Sequence, residues 1–124
     1  MKFLLMVYTD DGLLEALPDG AFDRMMRGCI QHADELKAQG TLIESQQLEH
    51  GSAARTVRVR NGRTSVVDGP FAETKEILGG YNLIEADSLE EAVKIAQEFP
   101  WVGTGSIEVR PVRDFEAVRR RVGA

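Results

Sequence analysis

Phe3-Leu4-Leu5-Met6-Val7-Tyr8 is apolar without a break. A run that short, with no alternation, suits a central strand covered on both faces. Asp10 to Pro18 reads as a loop, and Pro18-Asp19-Gly20 leads into a helix. In that helix Phe22, Met25, Met26, Cys29, Ala33 and Leu36 recur at helical spacing and form one stripe, and Gly40 supplies a left-handed cap. Thr41 to Leu48 is a strand candidate. Thr56-Val57-Arg58-Val59-Arg60 alternates up to Asn61-Gly62, the pair that favours a type I′ turn, and the chain returns through Thr64-Ser65-Val66-Val67. Asp68-Gly69-Pro70-Phe71 then ends pairing, since Gly tolerates positive φ and Pro offers no donor to a ladder. Tyr81 to Ala86 forms the next strand. Ser88 and Glu91 are spaced as a capping box for a second helix with apolar Leu89, Ala92, Val93, Ala96 and Phe99, and Pro100 stops it. Ser106 to Val112 is the last strand, and Asp114 caps a short C-terminal helix.

The resulting order, β-α-β-β-β-β-α-β, predicts an α+β fold: a ferredoxin-like split βαβ frame with an inserted hairpin, its antiparallel sheet covered by helices on one face. The second face carries charge. Arg58 and Arg60, like Glu108 and Arg110, alternate with Val57, Val59, Ile107 and Val109. Such a face is either wet or buried with its charges paired.

Composition narrows this picture. At 124 residues the chain is sized for one domain spanning 1–124, and no segment approaches the roughly 18 apolar residues of a membrane span. Met1-Lys2 enters a strand at once, and the apolar run is too short for a signal-peptide core, so a cytoplasmic location is expected. The lone cysteine, Cys29, lies in the helical stripe and reads as a small buried apolar residue. A net charge of −5 argues against a nucleic-acid partner. The basic tail of Arg113, Arg119, Arg120 and Arg121 is accounted for by the dipole of a C-terminal helix.

The stretch Val66 to Tyr81 contains Asp-Gly-Pro-Phe, then Glu73, Lys75 and Glu76, then Gly79-Gly80. Together with Tyr81-Asn82-Leu83-Ile84 and Gly105-Ser106-Ile107-Glu108-Val109-Arg110-Pro111-Val112, it resembles the signature of the DGPF-domain branch of the YCII-related family. The resemblance covers nearly the whole chain. It implies membership of the dimeric α/β-barrel superfamily, in which the second sheet face packs against its copy in a homodimer and encloses a polar cavity.

Candidate chemistry follows these residues. Glu73, Lys75 and Glu76, with His32 at the margin, are the candidate acid–base set; Arg58, Asp68, Tyr81, Glu108 and Arg110 are the candidate ligand contacts. Carboxylates beside Arg and Lys can equally be structural ion pairs. Asp68 before Gly69 is most simply a turn residue, and Phe71 a core plug. His32 lies on the flank of the first helix's stripe, where a partly buried, hydrogen-bonded histidine is the bland reading. The wider family's helix histidine, regarded there as catalytic with an aspartate, aligns nearer Cys29, so the resemblance does not carry that role to His32. His50, before Gly51 in a polar loop, reads as solvated. No metal-ligand spacing, phosphate-cradling loop or nucleophile elbow is visible, so neither a metal nor a cofactor is expected.

Three functional readings remain open. The resemblance implies a cofactor-independent enzyme or binder of a small anionic or polar molecule, using an inter-subunit cavity. It also allows a non-catalytic accessory or regulatory protein, because genes for such proteins often neighbour those for extracytoplasmic-function sigma factors. The third reading is a charged dimer interface alone.

Overall fold

The computed structural model describes residues 1–72 and 74–124. Its elements are β1 (Lys2–Asp10), α1 (Asp11–Glu15), α2 (Ala21–Ala38), β2 (Leu42–Gln47), β3 (Arg55–Arg60), β4 (Arg63–Asp68), β5 (Glu76–Glu85), α3 (Leu89–Gln97), β6 (Gly105–Pro111) and α4 (Phe115–Val122), with 3₁₀ turns at Gly51–Ala53 and Pro100–Gly103. The four-stranded sheet has the order β2-β5-β1-β6, antiparallel throughout. This is the order of a ferredoxin-like split βαβ frame, so the α+β expectation holds. β3 and β4 form a separate two-stranded ribbon.

The continuous apolar run becomes β1, at the centre of the sheet. Phe3, Leu5 and Val7 point to the helical side and are buried; Leu4, Met6 and Tyr8, on the open side, are half-buried. Ile84, Cys29, Leu36, Ala92, Ile95, Ala96, Phe99 and Trp101 complete the core beneath α2 and α3. α2 ends as its Gly40 predicts: Gly40 has φ 79°, its N–H donates to Lys37 O, and Thr41 N–H donates to Leu36 O, a Schellman pattern. α3 starts at a capping box, with Glu91 N–H donating to Ser88 Oγ at 3.1 Å and Asp87 N–H donating to Glu91 Oε2 at 3.0 Å.

Three differences from the sequence reading position the site. Asp10 to Pro18 is not all loop, because Asp10 Oδ1 accepts from Leu13 N–H and caps the single turn α1. β5 begins at Glu76 and carries a bulge: Val7 pairs with Gly80 and Tyr8 with Leu78, leaving Gly79 as the extra residue. Finally, Arg58 does not share a sheet with Glu108 and Arg110, since the hairpin forms its own ribbon. No helix among the described residues is long and apolar enough to cross a membrane.

Candidate functional site

The loop after β2 is tied down on several sides. Leu48 N–H donates to Gly79 O at the bulge, and Ala53 N–H and Ala54 N–H close the 3₁₀ turn onto His50 O and Gly51 O. Gly51 lies close against its neighbours: a Cβ there would stand 3.1 Å from Ile77 Cγ2, a tight approach, and 3.7 Å from Pro70 Cδ, an ordinary contact. The Gly69-Pro70 turn thus packs directly behind this loop. Gly69, at φ 91°, is itself pinned, its N–H donating to Ala54 O and its O accepting from Thr56 Oγ1, both at 2.8 Å.

This scaffold holds His50 in one orientation. His50 Nδ1 accepts from Ser52 N–H at 3.1 Å, with Ser52 Oγ at 3.0 Å. That leaves Nε2 to carry the proton of the neutral ring, and it lies 2.7 Å from Asp11 Oδ2. Asp11 is delivered by α1, from the end of the central strand. The pair is separated by 39 positions in the chain.

Two clefts meet at His50. The first, of about 270 Å³, runs under α2 and is lined by Val7, Phe22, Met26, Cys29 and Trp101, with Ser45, Asn82 and Asp11 among its polar walls. Ser45 Oγ–H donates to Asn82 Oδ1 at 2.7 Å across β2 and β5. The second, of about 640 Å³, lies on the other side of the His50 loop, against Tyr8, Ala54, Pro70, Phe71, Ile77 and Leu78. Leu48, Glu49, His50 and Gly51 border both. Apolar walls with a few convergent polar groups are the usual make-up of a small-molecule site.

The sequence-predicted site residues are dispersed. Tyr81 lines the first cleft and donates its hydroxyl to Glu44 Oε1 at 3.1 Å; that hydrogen bond, then desolvation and the carboxylate's charge, raise the phenol above its ordinary pKa. Glu76 lines the second cleft and accepts from Ser106 Oγ. Glu73 lies outside the described residues. Lys75 reaches toward Asp10, 3.8 Å from its Oδ2. Arg58 donates to Phe71 O, Asp68 pairs with Arg55 at 3.0 Å at the base of the ribbon, and Glu108 pairs with Arg110 on β6. None of Lys75, Arg58, Asp68, Glu108 and Arg110 lines either cleft. His32 faces away from both: its Nε2 lies 3.0 Å from Glu98 Oε2 without the alignment of a hydrogen bond, and its ring meets Phe99 edge-on. Cys29 is buried as expected. Burial pushes its thiol pKa up, and the Trp101 indole N–H, donating to Sγ at 3.2 Å, partly offsets this.

One residue extends the sequence reading and another corrects it. His50, read as solvated, is indeed 59% exposed, but it also meets Asp11 and Ser52, contacts that the reading did not include; no local pattern links a turn histidine to an aspartate so distant in sequence. Phe71, read as a core plug, is 76% exposed, because the turn it follows packs through Pro70 and leaves the ring on the cleft wall. Phe71→Ala is therefore expected to change stability by less than about 0.5 kcal/mol. A fall in the urea midpoint worth about 3 kcal/mol would restore the core-plug reading.

Residues 1–116 match the YCII-related domain family. A protein of Rhizobium meliloti (strain 1021) described as uncharacterized is 37% identical over 114 residues, which cover 90% of this chain and 92% of that protein. Among solved structures, 5-chloro-2-hydroxyhydroquinone dehydrochlorinase from Burkholderia phenoliruptrix AC1100, in complex with 2,5-dihydroxybenzoquinone, aligns over 91% of this chain and 94% of its own, with 14% identity and a TM-score of 0.46.

Proposed function

The chain belongs to the YCII-related domain family, and from that premise we propose that it is a small-molecule enzyme that moves a proton on an apolar substrate held in the cleft under α2. The observation that carries this is the Asp11–His50 pair, at 2.7 Å, on the wall of an apolar cleft. Asp11 fixes the tautomer and stabilises the imidazolium that forms when the ring takes up a proton. Nδ1, freed from Ser52 by a small movement of the turn, is the basic nitrogen. Val7, Phe22, Met26 and Trp101 supply the apolar walls that hold a compact ring, and the Ser45–Asn82 pair supplies polar contacts beside it.

The test is deuterium exchange. Carbonyl- and hydroxyl-bearing ring compounds that raise the melting temperature are incubated with the protein in D₂O, and exchange at their acidic C–H positions is followed by NMR. His50→Gln is expected to slow exchange by roughly 10²–10⁴-fold while the compound still binds, and Asp11→Asn to slow it less. Exchange at the wild-type rate in His50→Gln would remove the pair from the chemistry.

A second reading, the homodimer, rests on surfaces this chain leaves bare. Leu4, Met6, Tyr8, Tyr81 and Leu83 are half-buried on the open sheet face. On the ribbon, Val57 and Val66 stand opposite one another with Val59 beside them, and these three valines are 57–64% exposed. A lone two-stranded ribbon is marginal in water, and a second copy covering the valine face and the open sheet face would stabilise both. Light scattering at micromolar concentration is expected to give twice the chain mass; a monomer would exclude it. An accessory role beside a sigma factor remains the non-catalytic alternative, and loss of exchange activity in every ring compound tried would favour it.

A further inference from the structure

The second cleft carries its own chemistry. Its walls combine two aromatic rings, Tyr8 and Phe71, with the apolar side chains of Leu48, Ile77, Leu78 and Pro70, and its ionisable side chains are Glu49, Glu76 and His50. Among the described residues no Lys or Arg lines it. Of the neighbouring cations, Lys75 reaches toward Asp10, and Arg58 donates to the carbonyl of the cleft-wall residue Phe71 at 3.2 Å without itself lining the cleft. Glu76 accepts from Ser106 Oγ, whereas Glu49 is paired with no side chain among the described residues.

We infer that this cleft is a binding site for an apolar molecule carrying a cationic nitrogen, such as a protonated amine on a short hydrocarbon or aromatic body. Two rings and two carboxylates beside a single histidine, with neither Lys nor Arg among the described lining residues, are what suits an ammonium group. The carboxylates pair with it at the wet end, and the aromatic faces attract it through their quadrupoles. A carboxylate ligand of the same shape meets two like charges and no Lys or Arg among the described lining residues, and like-charge juxtaposition of this kind is a strong source of rejection. The site goes beyond the proton-transfer reading, because Phe71, Pro70 and Tyr8 line this cleft and not the first.

The experiment uses three probes of one shape: 4-phenylbutylamine, 4-phenylbutanol and 4-phenylbutyrate, titrated calorimetrically into the intact protein at pH 7. The amine is expected to bind at least about tenfold more tightly than the carboxylate, with the alcohol between, and its advantage should shrink as salt rises. Glu49→Gln should weaken the amine several-fold and leave the alcohol unchanged. Phe71→Ala, at an exposed position, should weaken both. Met26→Ala, at a residue that lines the first cleft and not the second, should leave the amine bound, which separates this site from the proton-transfer cleft. The inference is overturned if the carboxylate binds as well as the amine, if the amine shows no saturable binding, or if Glu49→Gln and Phe71→Ala leave its affinity unchanged.

Discussion

Replacing Gly105 by alanine is expected to destabilise the protein by about 3 kcal/mol or more, or to prevent folding altogether. Gly105 opens β6 opposite Thr9, and a Cβ there would stand 2.0 Å from Tyr8 O and 3.0 Å from Tyr8 C. The obstacle is backbone, so no rotamer change relieves it. The strands can only separate at this end or slip in register, and a slip of one residue would turn Ile107 and Val109 away from the core they now pack against. Separation would also break the bond from Asp10 N–H to Thr104 O, which fixes the end of β1 just before Asp11. Loss of stability and disorder of the Asp11–His50 pair should therefore appear together. Gly103, two residues earlier, is the control: nothing lies within 4 Å of its added Cβ, and Gly103→Ala should stay within about 0.5 kcal/mol of the wild type. Urea unfolding of the two variants distinguishes these outcomes. An unchanged midpoint for Gly105→Ala would mean that the end of the sheet can open without cost.

Which features could be read beforehand depends on how local their causes are. The Asn61-Gly62 turn was legible because its left-handed φ values of 53° and 73° are a demand that few residues meet. The caps of α2 and α3 were legible for the same reason. α1 was not, since one helical turn shows no periodicity and owes its existence to the Asp10 cap. Alternation proved an incomplete guide. Ile107 and Val109 pack on the core, while Val57 and Val59, with the same spacing, stay 64% and 57% exposed. The pattern reports that one face is apolar, not what covers it. The signature's charges clustered in sequence, but strand ends and the bulge sent them to different places: Glu76 to a cleft, Lys75 toward Asp10, Asp68 to Arg55. The Asp11–His50 pair had no sequence signal at all, because it exists only once β1 and the loop after β2 lie side by side.

Trp101 joins the core to the first cleft, and Trp101→Ala is expected to affect both. The indole is 6% exposed, tilts against the Phe22 ring with centroids 5.7 Å apart, and gives its N–H to Cys29 Sγ. Removing it takes away a large, almost fully buried apolar surface and leaves a void that opens into the cleft. Large-to-small changes of this kind cost about 3–5 kcal/mol, the higher values where the surroundings cannot collapse. Collapse is restricted here, because the Pro100–Gly103 turn is held by Thr104 N–H donating to Trp101 O and the strand beyond it begins at Gly105. Cys29 supplies a second readout. Its thiol is now buried beside the indole, and that burial raises its pKa, so the wild type is expected to react slowly with a thiol reagent at neutral pH and Trp101→Ala to react faster. Trp101→Phe separates the contributions. The phenyl ring retains most of the packing and the shield but has no donor for Sγ, so its cost should lie nearer the roughly 1 kcal/mol of a single hydrogen bond plus a modest volume loss. If Trp101→Phe proves as damaging as Trp101→Ala, the indole–thiol bond outweighs packing, and the cleft wall owes its shape to that bond rather than to the bulk of the ring.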